Sequence, residues 1–304
     1  MTLWTQVDTN KRRSSMLLFF FVLIVIGLGW LFSSVYNSPA ILIIAVVLAV
    51  TQALVGFYAG DKIVLSTSGA REIQKVDSPE LWNIVENLTI TAGLPMPRVY
   101  IIDEPAPNAF ATGRDPKHAS IAITSGAMQI LNKNELQGVI AHELSHVGNF
   151  DIRLMTITAV LVSIIAIVSD IFLRSRIFGF GRRDRDDNGG QLGAILLIVS
   201  IIAAILAPII AMLVQLAISR KREFLADADG ALLTRYPEGL ASALEKISSY
   251  SAPLEHVSSA TAHLYITNPL SSGEDESKQP FFSKLFSTHP PIAERVKLLR
   301  EMGK

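Results

Sequence analysis

The chain of 304 residues contains no cysteine. That excludes disulfides, thiolate metal ligands and a cysteine nucleophile, so any metal must be held by histidine and carboxylates. Charge is also scarce. Only 18% of residues are Asp, Glu, Lys or Arg, and the formal net charge is zero. Without a basic excess there is no electrostatic footprint for nucleic acid, and none is expected as a partner. The scarcity is concentrated: no charged residue lies between Arg13 and Asp61. Half of the chain is hydrophobic, and the mean hydropathy is +0.39.

The charge-free interval has room for two membrane spans of about 20 residues each, placed at 15–36 and 40–58. Asn37, Ser38 and Pro39 supply the turn between them. The basic start Lys11-Arg12-Arg13 also suits a signal peptide. The apolar run is long for one, however, and a second run follows at once, so the first is read as a retained span. Two further apolar segments run over 154–173, interrupted by Asp170, and over 192–218, which includes Pro208. They either cross the bilayer or form a hydrophobic hairpin buried in the protein or set partly into the membrane. Lys11, Arg12 and Arg13, then Lys62 and Arg71, then Arg220, Lys221 and Arg222 place the N-terminus and the polar regions in the cytoplasm. The loop RSRIFGFGRRDRDD between the later segments carries five arginines. It breaks the positive-inside tendency if both segments cross, and obeys it if they form a shallow hairpin.

Four parts follow from this: two transmembrane helices in 1–58, a first polar part in 59–151, a membrane hairpin in 152–218, and a second polar part in 219–304. Because the hairpin returns the chain to its starting side, the two polar parts can form one domain. PRVYIID (97–103) and HASIAIT (118–124) read as strands. The intervening PAPNAFATG is rich in turn residues around a short extended core. Segments 80–93, 133–151, 219–234, 238–250 and 290–302 read as helices, and SSGEDESKQP (271–280) as a flexible loop.

The stretch VIAHELSHVGNFD (139–151) carries the chemistry. Asn134 is the expected cap of its helix, with Glu135 in the first turn and Gln137 at the capping-box position. His142 and His146 are four apart, so both imidazoles can address one ion from one helix face. Glu143 projects beside them as a general base and not as a ligand, which is the arrangement of a zinc hydrolase. The flanking Val139, Ile140, Ala141, Leu144 and Val147 are apolar, and a buried polar trio needs a partner that a metal supplies. Catalytic zinc takes a third protein ligand. In SRKREFLADADG (219–230), Glu223 and Asp227 share a helix face. Glu223 can reach the ion, and Asp227 can accept a hydrogen bond from the outer nitrogen of a ligand histidine. The alternative is a solvated face with Glu223 paired to Arg220, Lys221 or Arg222. Asp229 is a weaker candidate ligand.

AHELSH, the two apolar segments after it, SRKREFLADADG, and STHPPIAERVKLL near the end together resemble the HtpX family of membrane zinc metalloproteases. The resemblance spans essentially the whole chain. It implies one Zn²⁺ held by His142, His146 and Glu223, with Glu143 as catalytic base. The fold implied is mainly helical, α+β: transmembrane helices plus a cytoplasmic zincin-like (gluzincin) domain with a small β-sheet. It also implies a multi-pass protein of the bacterial inner membrane that cleaves damaged or misassembled membrane proteins alongside quality-control partners. Similarity to such proteases makes His289 and Arg295, in THPPIAER, candidates for stabilising the oxyanion, with His263 as a further possibility. It also makes Asn108, Ala109, Phe110 and Ala111 an edge strand onto which an extended substrate can add through its backbone. Rival readings are a non-catalytic zinc-binding scaffold or chaperone, and a transporter using Asp170.

Overall fold

The structure, a computed structural model, describes residues 3–35, 37–163, 219–250, 261–267 and 290–303. His289, His256, Asp170, the segment 192–218 and the loops 181–190 and 271–280 lie outside the described residues.

Two long apolar helices come first, α1 (Leu3–Val35) and α2 (Pro39–Tyr58). Both are long and apolar enough to cross a membrane, with mean hydropathy 2.6 over Gln6–Ser34 and over Pro39–Tyr58. Phe19, Phe20, Leu23, Trp30, Ile43, Ile44 and Val47 are exposed on their outer faces, as lipid contact requires and water would not permit. Asn37 takes the left-handed conformation at the turn (φ 51°). Pro39 occupies the first turn of α2, where its missing N–H costs nothing. The hairpin closes tightly at Gly29, where an added Cβ would come within 2.2 Å of the Ala45 Cβ. Such small-residue crossings let membrane helices approach closely.

Next come α3 (Gly60–Thr67), β1 (Ala70–Glu72), α4 (Pro79–Ala92), β2 (Arg98–Ile102), β3 (Ala109–Gly113), β4 (Ala119–Thr124), α5 (Ser125–Ile130) and α6 (Lys133–Gly148). A helix described from 151 to 163 follows as α7. Then come α8 (Arg220–Thr234), α9 (Pro237–Ser248) and α10 (Ile292–Met302). The strands form one sheet in the order β1-β2-β4-β3, with only β2 and β4 parallel. The strands expected at 97–103 and 118–124 are β2 and β4, and the extended core between them is β3, at the sheet's end. The short helices α3 and α5 and strand β1 were not expected.

Helix α6 is capped by Asn132, not by Asn134. The Asn132 side chain accepts from the N–H groups of Asn134 and Glu135 (3.0 Å each), and Glu135 accepts from the Asn132 N–H (2.8 Å). Glu135 also takes Lys246 (2.7 Å) and Ser242 (2.6 Å) of α9, which ties the start of the helix to its neighbour.

Because strand side chains alternate, each strand feeds both faces of the sheet. Ala109, Ala111, Ile121 and Ile123 join a core with α4, α6, α9 and α10. Phe110, Ala122, Tyr100 and Ile102 join another with α3, α7, Leu264 and Tyr265. The sheet is therefore a buried middle layer. Helix α7 was expected to begin a membrane hairpin at 152. Its apolar residues from Ile152 to Val162 are buried in protein, and the rest of that segment lies outside the described residues. One set lies on the second core, and Leu154, Ile157 and Leu161 pack on Leu17 and Phe21 of α1.

Candidate metal centre

His142 and His146 lie one turn apart on α6 and are buried, with 1% and 4% of their surface exposed. Glu223 reaches them from α8. That helix lies close on α6 because Gly230 sits over the backbone of the metal helix; an added Cβ would be 3.0 Å from the His142 nitrogen. The His142 and His146 Nε2 atoms are 3.2 Å apart. The Glu223 oxygens are 3.8 Å from His142 Nε2 and 3.6 Å from His146 Nε2. Two ligands about 2.0–2.1 Å from one tetrahedral ion are separated by roughly 3.3 Å, so these spacings suit a single small cation.

The outer nitrogens supply an independent test of fit. His142 Nδ1 lies 3.0 Å from Asp227 Oδ1, and His146 Nδ1 lies 3.0 Å from Asp151 Oδ2. A carboxylate accepts, so each Nδ1 carries a proton and each Nε2 is the nitrogen turned to the shared space. Two ring nitrogens and a carboxylate facing one another in a buried space need positive charge between them, which a proton or a metal ion can supply. Among the described residues these three form the one cluster of potential metal ligands.

Arg295 enters from α10 and is fully buried. Its guanidinium clasps Asp227 at 2.8 and 2.6 Å, donates to the Ile266 carbonyl at 3.1 Å, and stands 3.9 Å from Glu223. It therefore lies behind the ligand His142 and fixes the carboxylate that orients it. Burial works to raise the Asp227 carboxyl, but the charge and hydrogen bonds of Arg295 hold it down at about 2. Burial, aided by the charge of Arg295, lowers His142 to about 4 against the pull of Asp227. Burial would lower His146 too, yet Asp151 and Glu223 outweigh it and carry the imidazole up to about 9.

Glu143 is buried beside the trio. Burial, with the charge of Glu223, raises its carboxyl to about 8, while a hydrogen bond from the Ala111 backbone pulls the other way. The end strand β3 thus touches the site directly. Its outward groups are engaged. The Ala109 carbonyl accepts from the Ile266 N–H (3.0 Å), and the Gly113 N–H donates to Thr156 (3.0 Å). Asn108 binds the Ala109 N–H (3.1 Å) and the backbone of Thr267 (3.2 Å). Phe110 points away from the metal ligands and meets Tyr265 edge-on, with ring centroids 4.9 Å apart.

Several expectations resolve differently. Arg222 and Glu223 are both buried, and Arg222 pairs with Asp151 (3.2 Å), so this is not a solvated face. Asp229 is turned to Ser145 (2.9 Å) and Asn149 (3.1 Å), away from the ligand trio. His263 donates from Nε2 to the Met155 carbonyl (3.1 Å) and so anchors its segment to α7. Asp151 escaped the sequence reading. Its only signal was a carboxylate five positions after the second histidine, and Phe150, at φ 60°, is the left-handed residue that turns it back onto the helix.

The family model for peptidase family M48 matches residues 75–303. A "Protease HtpX homolog" of Tropheryma whipplei is 50% identical over 301 residues, covering 99% of each chain. Another, of Dictyoglomus turgidum, is 45% identical over 303 residues, covering 99% of this chain and 95% of the relative. Among solved structures, S. mikatae Ste24p shares the fold, with a TM-score of 0.51 at 19% identity, over 98% of this chain and 66% of that one. On the extent and identity of these matches, the chain belongs to peptidase family M48, among its HtpX proteases.

Proposed function

We propose that the chain is a zinc endopeptidase of the membrane that cuts polypeptides at its cytoplasmic face, damaged or misassembled membrane proteins among them. The observation that carries this is the convergence of the Nε2 atoms of His142 and His146 and the Glu223 carboxylate, with Glu143 beside them. His142, His146 and Glu223 would hold the ion. A divalent cation held there supplies Lewis acidity, acidifying water and polarising a peptide carbonyl. Glu143, ionised once the charge of a bound cation offsets its burial, would take the proton of the attacking water and hand it to the leaving amine. Asp227 and Asp151 keep the imidazoles in the tautomer that ligation needs. Arg295 holds Asp227 and stabilises the reacting oxygen only through that arrangement. His289 is retained as the oxyanion donor on the resemblance alone.

Substrate in extended form would align along β3. Because Ile266 already uses the Ala109 carbonyl, a pairing strand must either take that place or begin at Ala111. The two apolar helices and the basic residues at their inner ends support the membrane setting and the orientation.

The test compares wild type with Glu143→Gln, both purified in detergent with zinc and offered an unfolded protein. Cleavage should drop by about 10²–10⁴-fold at unchanged metal content. Equal turnover by both would remove Glu143 from the mechanism. Inertness of both would favour the scaffold reading.

A further inference from the structure

The N-terminal helix reaches the centre through a buried polar contact. Asn10 is 1% exposed. Its amide nitrogen donates to Asp151 Oδ1 at 2.6 Å and to the Asn149 carbonyl at 2.9 Å. Both partners can only accept, so the amide orientation is forced. Asp151 Oδ1 also lies 3.2 Å from Arg222 Nε, and its Oδ2 takes His146 Nδ1 at 3.0 Å. Each carboxylate oxygen thus has an assigned task, one facing the ligand and one facing its supports. Arg222 comes from α8, one residue before the ligand Glu223; Asn10 comes from the helix that enters the membrane. The junction between α6 and α7 is therefore gripped from two sides.

We propose that Asn10 is a positioning residue for the metal ligand His146: it fixes the Asp151 carboxylate, and through it the ring, so that this hydrogen bond helps to set how well the centre holds its ion. This rests on the metal reading given above. Partners behind a metal-bound histidine are typically worth about 10–100-fold in metal affinity. Asn10 acts one contact further out, so an effect of about tenfold is expected. Leucine has the branching and heavy-atom count of asparagine without the donor, with bulkier methyl groups in place of the amide atoms. Asn10→Leu therefore removes the hydrogen bonds and leaves the space filled, and Asp151 can rotate.

The experiment measures Zn²⁺ affinity of the full chain in detergent by competition with a chelating dye. It also records the visible spectrum of the Co²⁺-loaded protein, which reports ligand geometry. Asn10→Leu should weaken Zn²⁺ binding about tenfold and shift the Co²⁺ bands at saturation, and Asp151→Asn should do at least as much. Leu17→Ala loosens the packing of α1 on α7 without touching these hydrogen bonds, and it should leave both readouts at wild-type values while lowering Tm. Wild-type affinity and spectrum in Asn10→Leu would overturn the proposal. So would equal weakening by Leu17→Ala, because the effect would then be general loosening. Glu223→Gln marks the loss of a ligand. If wild type itself binds no stoichiometric Zn²⁺, the metal reading fails first and this inference with it.

Discussion

Each imidazole of the centre is backed by its own carboxylate: Asp227 for His142, Asp151 for His146. Their charges have a measurable consequence. With His146 raised to about 9, a proton competes with the ion throughout the neutral range. Zn²⁺ affinity should therefore rise with pH from 6 to 8, by up to about tenfold per unit for one displaced proton. Titration calorimetry in buffers of different ionisation enthalpy would count the protons released, and a count of zero would contradict the assignment. Arg295 invites a second prediction. Replacing it with methionine leaves Asp227 buried without its cation, a change that costs about 3–5 kcal/mol. Chemical denaturation of metal-free protein should register the loss. Asp227 was legible in the sequence because four residues separate it from Glu223 on a regular helix. Asp151 was not, because its placement depends on the left-handed turn at Phe150, which no periodicity foretells.

At the scale of elements, the centre depends on how closely α8 lies on α6. An alanine at Gly230 would place its Cβ 3.0 Å from the His142 nitrogen and 3.2 Å from its Cα. The helix gains about 1 kcal/mol of propensity from Gly→Ala, while overpacking costs about 1–3 kcal/mol. Stability should change little, but α8 must lift, and Glu223 lifts with it. Gly230→Ala is expected to weaken metal binding severalfold more than Gly148→Ala, whose Cβ would meet only a Leu94 methyl at 3.7 Å. Equal affinities, measured by dye competition, would show that the helix spacing has slack. Most longer elements were readable from pattern. Helices α3 and α5, of 8 and 6 residues, are too short to show a helical period. The start of α6 misled because Asn132-x-x-Glu135 and Asn134-x-x-Gln137 both fit a capping box. The first prevails because Glu135 also finds Lys246 and Ser242.

For the molecule as a whole, the absence of charge from 14 to 60 announced two apolar helices, although α1 begins at Leu3 and not at 15. At 154 the same logic left two readings open, since an apolar run looks alike whether lipid or protein covers it. There the covering is α1, the second core and the sheet. A chain begun at residue 59 would expose Leu154, Ile157 and Leu161 and remove Asn10 from Asp151. It is expected to self-associate in detergent-free buffer and to retain Zn²⁺ less well than the full chain, as sedimentation and metal analysis would show. A monodisperse truncated chain with full Zn²⁺ affinity would refute that.

Helix α1 runs unbroken for 33 residues, roughly 50 Å at the usual helical rise, against a hydrocarbon layer of about 30 Å. Its far end is gripped by α2, its near end by Asp151 and by the ring of Phe150, over which Lys11 sits at 4.4 Å. The hydrocarbon layer therefore covers only part of the helix, and the length left over on the near side carries Asn10 to the turn behind the second histidine.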